Sequence, residues 1–205
     1  MNKHTRIREK GKGGWTMSRV YVFLADGFEE IEGLTAVDML RRAGVETVMV
    51  SVASGKRVAG AHGIVVEADG TFPEYSYEDG VMAVLPGGMP GTEHLMAHEG
   101  LREVLHSYCD AKKYLAAICA APSVLGRNGL LRGRHATCYP GFEEKLLEAE
   151  VVPDAVVIDG NIITSRGMGT AISFSAALVS LLRDEETAEK LLSSIQYGRN
   201  GVAAD

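Results

Sequence analysis

A short apolar segment that runs into a cysteine constrains this chain more than any other feature. Residues 114–118 read Tyr-Leu-Ala-Ala-Ile, and Cys119 follows directly. An apolar run of this length is typical of a fully buried parallel strand. Pro122 fits the first turn of a helix and would interrupt a continuing strand. The segment therefore predicts a strand, a sharp turn at Cys119 and a helix, which is the geometry of a nucleophile elbow.

Strands alternate with helices along the rest of the chain. The predicted strands are Arg19–Ala25, Glu46–Ala53, Val81–Leu85, Tyr114–Ile118, His135–Cys138, Ala155–Ile158 and Ile162–Ser165. The predicted helices are Glu29–Ala43, Glu99–Ala111, a segment after Cys119, Phe142–Glu148, Thr170–Leu182 and Glu185–Tyr197, with a small hairpin at Val58–Glu67. This alternation predicts an α/β fold, in which helices cover both faces of a parallel sheet and any site lies at the carboxyl ends of the strands.

Length and charge narrow the class of protein. The 205 residues correspond to one domain, which we place at residues 17–205. We interpret residues 1–16 as a leader or extension, because Met17 can serve as the start and the basic leader lacks the apolar stretch of a secretory signal. The net charge of −6 argues against nucleic acid as the main partner. No apolar run approaches the roughly 20 residues of a membrane helix.

Cys119 is the candidate nucleophile among three cysteines. Three is an odd number, and the absence of Cys-x-x-Cys spacing suits a reducing, cytoplasmic compartment without disulfides or structural zinc. The N-terminus of a helix behind Cys119 favours its thiolate, which is the reactive form. The alternative is a buried structural thiol, since cysteine is among the most buried residue types. No histidine follows His135, and none clearly completes a triad.

A carboxyl group is then the other source of proton transfer, and Glu32 is the candidate. Ala36, Met39 and Ala43 follow it at helical spacing, so Glu32 lies on the apolar stripe of its predicted helix. A carboxyl buried there without a basic neighbour should have a raised pKa. Such a protonated acid can hydrogen-bond a thiolate and shuttle a proton. Glu29 and Glu30 need no such role, because acidic residues at a helix start complement the helix dipole.

A glycine-rich turn follows the third predicted strand. Gly87 and Gly88 let the backbone approach a ligand closely, and their N–H groups could stabilise an oxyanion beside the sulfur. An ordinary tight turn is an equal alternative. Residues 166–170 resemble a dinucleotide fingerprint only weakly, because Ile172 stands where a third glycine is needed. We therefore expect neither a nucleotide cofactor nor a metal ion.

Five motifs together resemble the ThiJ/PfpI superfamily, in particular its parkinsonism-associated deglycase branch and the bacterial YajL proteins. They occur in consistent order over about residues 18–199, which is nearly the whole chain. The motifs are Asp26-Gly-Phe-Glu-Glu-Ile-Glu32, Val37-Asp-Met-Leu-Arg-Arg-Ala-Gly44, Leu85-Pro-Gly-Gly88, Ala116-Ala-Ile-Cys-Ala-Ala-Pro122 and Thr164-Ser-Arg-Gly-Met-Gly-Thr170.

The resemblance implies a fold and a set of roles. It implies a flavodoxin-like three-layer sandwich with a mainly parallel central sheet, usually in a homodimer whose active site lies near the interface. Cys119 would be the oxidation-sensitive nucleophile, and Glu32 the protonated glutamate hydrogen-bonded to it. The backbone N–H of Gly88, in the turn that also contains Gly87, and the backbone N–H of Ala120, directly after Cys119, would form the oxyanion site.

The chain departs from the family's usual residues at two further positions. Tyr139 stands before Pro140 where the human-type branch has a histidine, which is nearer the bacterial pattern. His62 falls where an arginine often contributes near the pocket, so Tyr139 and His62 are possible pocket residues. The peptidases of the superfamily have a Cys-His pair, whereas Ala120 follows Cys119 here, and we do not expect a protease.

The resemblance leaves two hypotheses for the function. The leading one is a cofactor-independent enzyme that converts methylglyoxal or glyoxal to hydroxy acids, or repairs proteins or nucleotides modified by them. Cys119 would form a hemithioacetal, and Glu32 would relay protons. The alternative is an oxidative-stress sensor or redox-regulated chaperone that uses the oxidisable Cys119. Neither requires a membrane or specific nucleic-acid binding.

Overall fold

The computed structural model describes residues 19–198. The predicted leader, residues 1–16, lies outside the described residues, as does the predicted domain start at residue 17. The strands of the described part are β1 Arg19–Leu24, β2 Glu46–Ser51, β3 Arg57–Ala59, β4 Val65–Glu67, β5 Gly70–Thr71, β6 Gly80–Leu85, β7 Tyr114–Ile118, β8 His135–Ala136, β9 Glu150–Val151, β10 Val156–Asp159 and β11 Ile162–Ser165. Its helices are α1 Glu30–Arg42, α2 Gly91–Ala97, α3 Glu99–Asp110, α4 Pro122–Arg127, α5 Ala171–Leu182 and α6 Glu185–Ser194.

One central sheet contains seven of these strands, in the order β10-β11-β7-β6-β1-β2-β5. All neighbours pair in parallel except β10 and β11, which form an antiparallel hairpin at one edge. The run β2-β1-β6-β7-β11 is the flavodoxin-like strand order, in which ligands bind at the carboxyl ends of the strands. The predicted mainly parallel sheet is therefore confirmed.

Alternate residues of β1 face two separate cores. Val20, Val22 and Leu24 pack in the core that contains apolar residues of α1, α5 and α6. Tyr21 and Phe23 pack on the opposite face, in the core that contains residues of α3 and α4. The fold is thus the predicted three-layer sandwich. No helix within residues 19–198 is long and apolar enough to cross a membrane.

The structure adds a helix to the predicted elements and shortens two of them. Helix α2 was not predicted, because its sequence opens with a glycine after a proline, a pair that favours a turn. The strand predicted at His135–Cys138 ends at Ala136 and pairs with β9 in a separate small sheet. The helix predicted at Phe142–Glu148 is a single 3-10 turn at Glu143–Lys145, because Leu146, with φ of −84° and ψ of 67°, already leaves the helical region.

Candidate active site

Cys119 lies at the sharp turn between β7 and α4, as the sequence predicted. Its backbone φ is +65°, a left-handed conformation that costs a non-glycine residue about 1–3 kcal/mol. Neighbouring elements hold the turn in place. The Cys119 N–H donates to the Ser165 carbonyl at 2.9 Å, and the Cys119 carbonyl accepts from the Tyr139 N–H at 2.8 Å. The thiol is partly exposed at the carboxyl edge of the sheet.

Glu32 is buried beside this thiol, with 1 % of its surface exposed. The predicted apolar stripe is present, since Ala36 and Met39 of α1 are buried as well, and so is Ala43 directly after the helix. Carboxyl oxygen Oε2 accepts a hydrogen bond from the Gly87 N–H at 2.8 Å. Oxygen Oε1 is buried and accepts no hydrogen bond from the described residues. The carboxyl group and the Cys119 thiol lie close enough for each to shift the pKa of the other.

The two groups titrate as a pair. Burial raises the pKa of Glu32 to about 7, although its contacts with Gly87 and Cys119 act in the opposite direction. Burial, followed by the Glu32 charge, raises the pKa of the Cys119 thiol to about 12. The Ala120 N–H, just before α4, lowers the pKa of the thiol as expected, but burial and the Glu32 charge outweigh it. The sulfur loses its proton readily only when Glu32 keeps its own, because two adjacent buried anions repel each other.

Two backbone amides partly offset this rise. The N–H groups of Ala120 and Gly88 reach the sulfur and lower the pKa of Cys119. Donors placed around a reacting sulfur can also bind an oxygen that becomes negatively charged on an attacked carbonyl. Gly88 has a φ of +90°, and an added Cβ would collide with the Glu29 backbone nitrogen. Only glycine therefore fits at position 88.

Gly87 occupies the centre of this arrangement. An added Cβ would lie 2.6 Å from the Cys119 Cβ, 2.8 Å from Glu32 Oε2 and 3.0 Å from the Ala120 nitrogen. The Gly87 carbonyl accepts a hydrogen bond from the Glu29 N–H at 2.8 Å. Gly87 is thus bonded through its N–H to Glu32 in α1 and through its carbonyl to Glu29 directly before α1. These two bonds hold the carboxyl of Glu32 against the turn at Cys119.

Tyr139 lies on the exposed side of the thiol. Its side chain is half exposed, and its N–H is bonded to the Cys119 carbonyl. A Cβ placed on Gly167 would lie 3.3 Å from Tyr139 Cδ2 and 3.9 Å from Cys119 Sγ. The residues after β7 and β11 and the segment that carries Tyr139 therefore meet beside the sulfur.

His62, the other predicted pocket residue, contacts the start of α1 instead of the sulfur. Its Nδ1 lies 3.1 Å from Glu30 Oε2 and 3.4 Å from Glu29 Oε2. The backbone N–H groups of His62 and Ile64 donate to Glu30 Oε1 at 2.8 and 3.3 Å. The buried Glu30 carboxylate thus fastens the β3–β4 hairpin to α1. Sequence reasoning missed this contact, because Glu30 and His62 are 32 residues apart.

Glu29, Glu30 and His62 also form the one group within residues 19–198 whose ligand atoms lie close enough to share a metal ion. Glu30 already accepts two backbone N–H groups and contacts the His62 ring. The attachment of the hairpin to α1 explains these contacts without an ion. The absence of a metal cofactor stays a prediction.

The sequence from residue 18 to residue 181 matches the DJ-1/PfpI family. The chain belongs to this family. It is 36 % identical to the DJ-1 homologue A of Arabidopsis thaliana over 174 residues, which is 84 % of this chain and 44 % of that relative. The chain thus spans less than half the length of this relative.

Other members of the DJ-1/PfpI family match the chain over nearly their full length. A protein of Pyrococcus abyssi named as a deglycase is 34 % identical over 167 residues, which is 80 % of this chain and 99 % of that protein. The solved structure of oxidised DJ-1 from Toxoplasma gondii superimposes with a TM-score of 0.85 at 35 % identity. That superposition covers 88 % of this chain and 99 % of the other.

Proposed function

We propose that this protein converts 2-oxoaldehydes such as methylglyoxal to hydroxy acids without a cofactor. The observation that carries the proposal is that the buried Glu32 carboxyl lies beside Cys119, with Glu32 Oε2 and Cys119 Cβ both within 3 Å of the point where a side chain at Gly87 would begin. Burial raises the pKa of this carboxyl to about 7. An acid–base group works best when its pKa lies near the operating pH. The deglycase name of the Pyrococcus abyssi relative supports an activity of this class.

The reaction begins when the Cys119 sulfur bonds to the aldehyde carbon. The carbonyl oxygen, held by the N–H groups of Gly88 and Ala120, takes up the proton that the Cys119–Glu32 pair releases. The product is a hemithioacetal. The Glu32 carboxylate then removes the hydrogen of the former aldehyde carbon as a proton and returns it to the adjacent carbon. The hydroxyl proton of the hemithioacetal passes to the oxygen on that adjacent carbon, and the product is a thioester of the hydroxy acid.

Water hydrolyses this thioester and restores the thiol, so methylglyoxal and water yield lactate. One carbon is oxidised while its neighbour is reduced, and the reaction therefore needs no external oxidant or reductant. Glu32 serves both proton transfers because it lies next to the sulfur and can exist in either protonation state near neutral pH.

Lactate formation from methylglyoxal in the absence of glutathione tests this mechanism. We expect Cys119→Ala to abolish it and Glu32→Gln to lower kcat/KM at least about 100-fold, the lower end of a general acid–base contribution. Glu30→Gln is the matched control, because it makes the same change two residues away outside the contact with the thiol. No lactate with the wild type, or equal rates in Glu32→Gln and wild type, would contradict the proposal.

A second candidate function is oxidative sensing through Cys119. The similarity to a structure of an oxidised DJ-1 favours it, and the sulfur is partly exposed beside a carboxyl that can donate a hydrogen bond to a sulfinate. Two peroxide molecules would each transfer one oxygen atom to the sulfur and leave as water. Intact-mass measurement after mild peroxide treatment should show two added oxygen atoms in the wild type and none in Cys119→Ala. An unmodified wild type would exclude this function.

A further inference from the structure

Large apolar side chains are exposed next to the residues that surround the thiol. Tyr139 is bonded through its backbone to Cys119 and is 50 % exposed. Met168 follows Gly167 and is 55 % exposed. Met89 follows Gly88 in the same way and is 43 % exposed. Exposed apolar residues that adjoin a reactive group are more informative than scattered ones, because they often mark a ligand-binding surface.

Gly167 lies between the Tyr139 ring and the sulfur. Both atoms, Tyr139 Cδ2 and Cys119 Sγ, lie within 4 Å of the point where a side chain at position 167 would begin. The Gly167 backbone is extended, with φ of 161°, so any residue could adopt it. The closeness of the Tyr139 ring and the sulfur, rather than a special conformation, therefore explains glycine at this position.

Charge near the sulfur restricts what can enter this space. After burial, the main influence on the pKa of Cys119 is the acidic Glu32 side chain, and the Ala120 and Gly88 N–H groups act in the opposite direction. Glu29 raises the pKa of Glu32 further, which adds a second acidic group close by. An anionic substituent would be repelled by these groups when they are ionised, whereas a neutral substituent would not.

We propose that Tyr139, Gly167 and Met168 form a subsite, here called the rim subsite, which binds a neutral apolar substituent on the carbonyl compound that Cys119 attacks. An aromatic substituent fits best, because it can pass over the Gly167 backbone and lie against the half-exposed Tyr139 ring. The proposal rests on the proposed function only in treating Cys119 as the nucleophile. It predicts a preference for aromatic over aliphatic oxoaldehydes and discrimination against anionic ones.

Alkylation by three bromides tests the rim subsite without requiring turnover. Phenacyl bromide, bromoacetone and bromoacetate each form a carbon–sulfur bond to Cys119 and release bromide, but they carry an aromatic, a methyl and an anionic substituent. The rate at Cys119, followed by peptide mass spectrometry, is divided by the rate with N-acetylcysteine to remove intrinsic reactivity. We expect the normalised rates to fall in the order phenacyl bromide, bromoacetone, bromoacetate.

Variants then assign the preference to the subsite. Tyr139→Ala should lower the ratio of phenacyl bromide to bromoacetone about tenfold, whereas Tyr139→Phe should retain it. Gly167→Ala should slow phenacyl bromide most, because its methyl group would fill the space beside the sulfur. An unchanged ratio in Tyr139→Ala, or bromoacetate as the fastest reagent in the wild type, would overturn the proposal. Since alkylation needs no hydroxy-acid formation, a protein without lactate production still gives a readable result.

Discussion

Glu30 and Glu32 stand two residues apart at the start of α1 and are both buried, yet their environments differ in kind. Burial raises the pKa of Glu30, but its own backbone N–H, the His62 side chain and the N–H groups of His62 and Ile64 bring the net pKa below its usual value. Burial also raises the pKa of Glu32, and only one backbone N–H and the Cys119 thiol oppose it, so its net pKa lies above the usual value. The stronger burial of Glu32 and its smaller number of donors together keep its proton at a pH where Glu30 is ionised.

This difference separates a structural carboxylate from a reactive one on the same helix turn. Glu30 is held as an anion and attaches the β3–β4 hairpin. Glu32 is left short of donors, so its proton is available near neutral pH and its charge controls the neighbouring sulfur. Undersatisfied polar groups of this kind are uncommon in protein interiors and often accompany function.

The pH dependence of Cys119 alkylation by iodoacetamide gives the largest contrast. In the wild type the rate should rise with pH to about 7 and then flatten, because Glu32 ionises there and opposes the thiolate. In Glu32→Gln the rate should keep rising about tenfold per pH unit, so the variant reacts about tenfold faster at pH 8. Glu30→Gln should keep the plateau. A plateau near pH 7 in Glu32→Gln would disprove the pairing.

Unfolding free energies should distinguish the two carboxyls by sign. Glu30→Gln removes a charged acceptor of backbone N–H groups and should lower the free energy of unfolding by about 2 kcal/mol at pH 7. The folded protein holds the Glu32 proton up to a pKa of about 7 instead of 4.5, so wild-type stability falls as the pH rises between these values. Glu32→Gln should remove up to about 3 kcal/mol of that fall.

Urea unfolding of the wild type and both variants at pH 5 and pH 8 measures these effects. The free energy of unfolding of Glu32→Gln, relative to that of the wild type, should increase from pH 5 to pH 8. The free energy of unfolding of Glu30→Gln should be lower than that of the wild type at pH 8. Destabilisation of equal size by both substitutions, independent of pH, would remove the distinction.

His62 gives the smallest effect. Its contact with Glu30 raises the pKa of the exposed His62 ring above its ordinary value of 6.5. The stabilisation from this ion pair is therefore complete below pH 6.5 and is lost as the pH rises through the raised pKa. Hydrogen exchange of the Ile64 amide should be slower at pH 6 in the wild type than in His62→Gln, after correction for intrinsic rates. Identical protection in the two proteins would show that the ring does not strengthen the attachment of the hairpin.

Local patterns made the core of the site predictable from the sequence. The length of the apolar run and the position of Pro122 located the turn at Cys119, and helical spacing placed Glu32 on a buried stripe. Both depend on residues close in the chain. Glu30 was interpreted only as a complement to the helix dipole, because its partners come from a hairpin that no local pattern joins to α1.

The ionisation of Cys119 could not be predicted from the sequence either, because it too depends on residues that are far apart in the chain. The effect of peptide dipoles follows from a turn and a helix, which are local features. The opposing effects come from burial and from a carboxylate on another element, and both exist only after the chain has folded. The general lesson is that residue identity located the reactive pair, whereas packing set its protonation.

The crowding at Gly87 has a consequence for efforts to redesign this protein. Its α-carbon works as a fixed spacer, since even one methyl group there would come within 3 Å of both the nucleophile's side chain and the acid's oxygen. A saturation library at this codon should yield a single active member. Directed evolution towards new reactivity would therefore have to change the residues around the site, because the distance between the reacting groups is fixed by the residue at position 87.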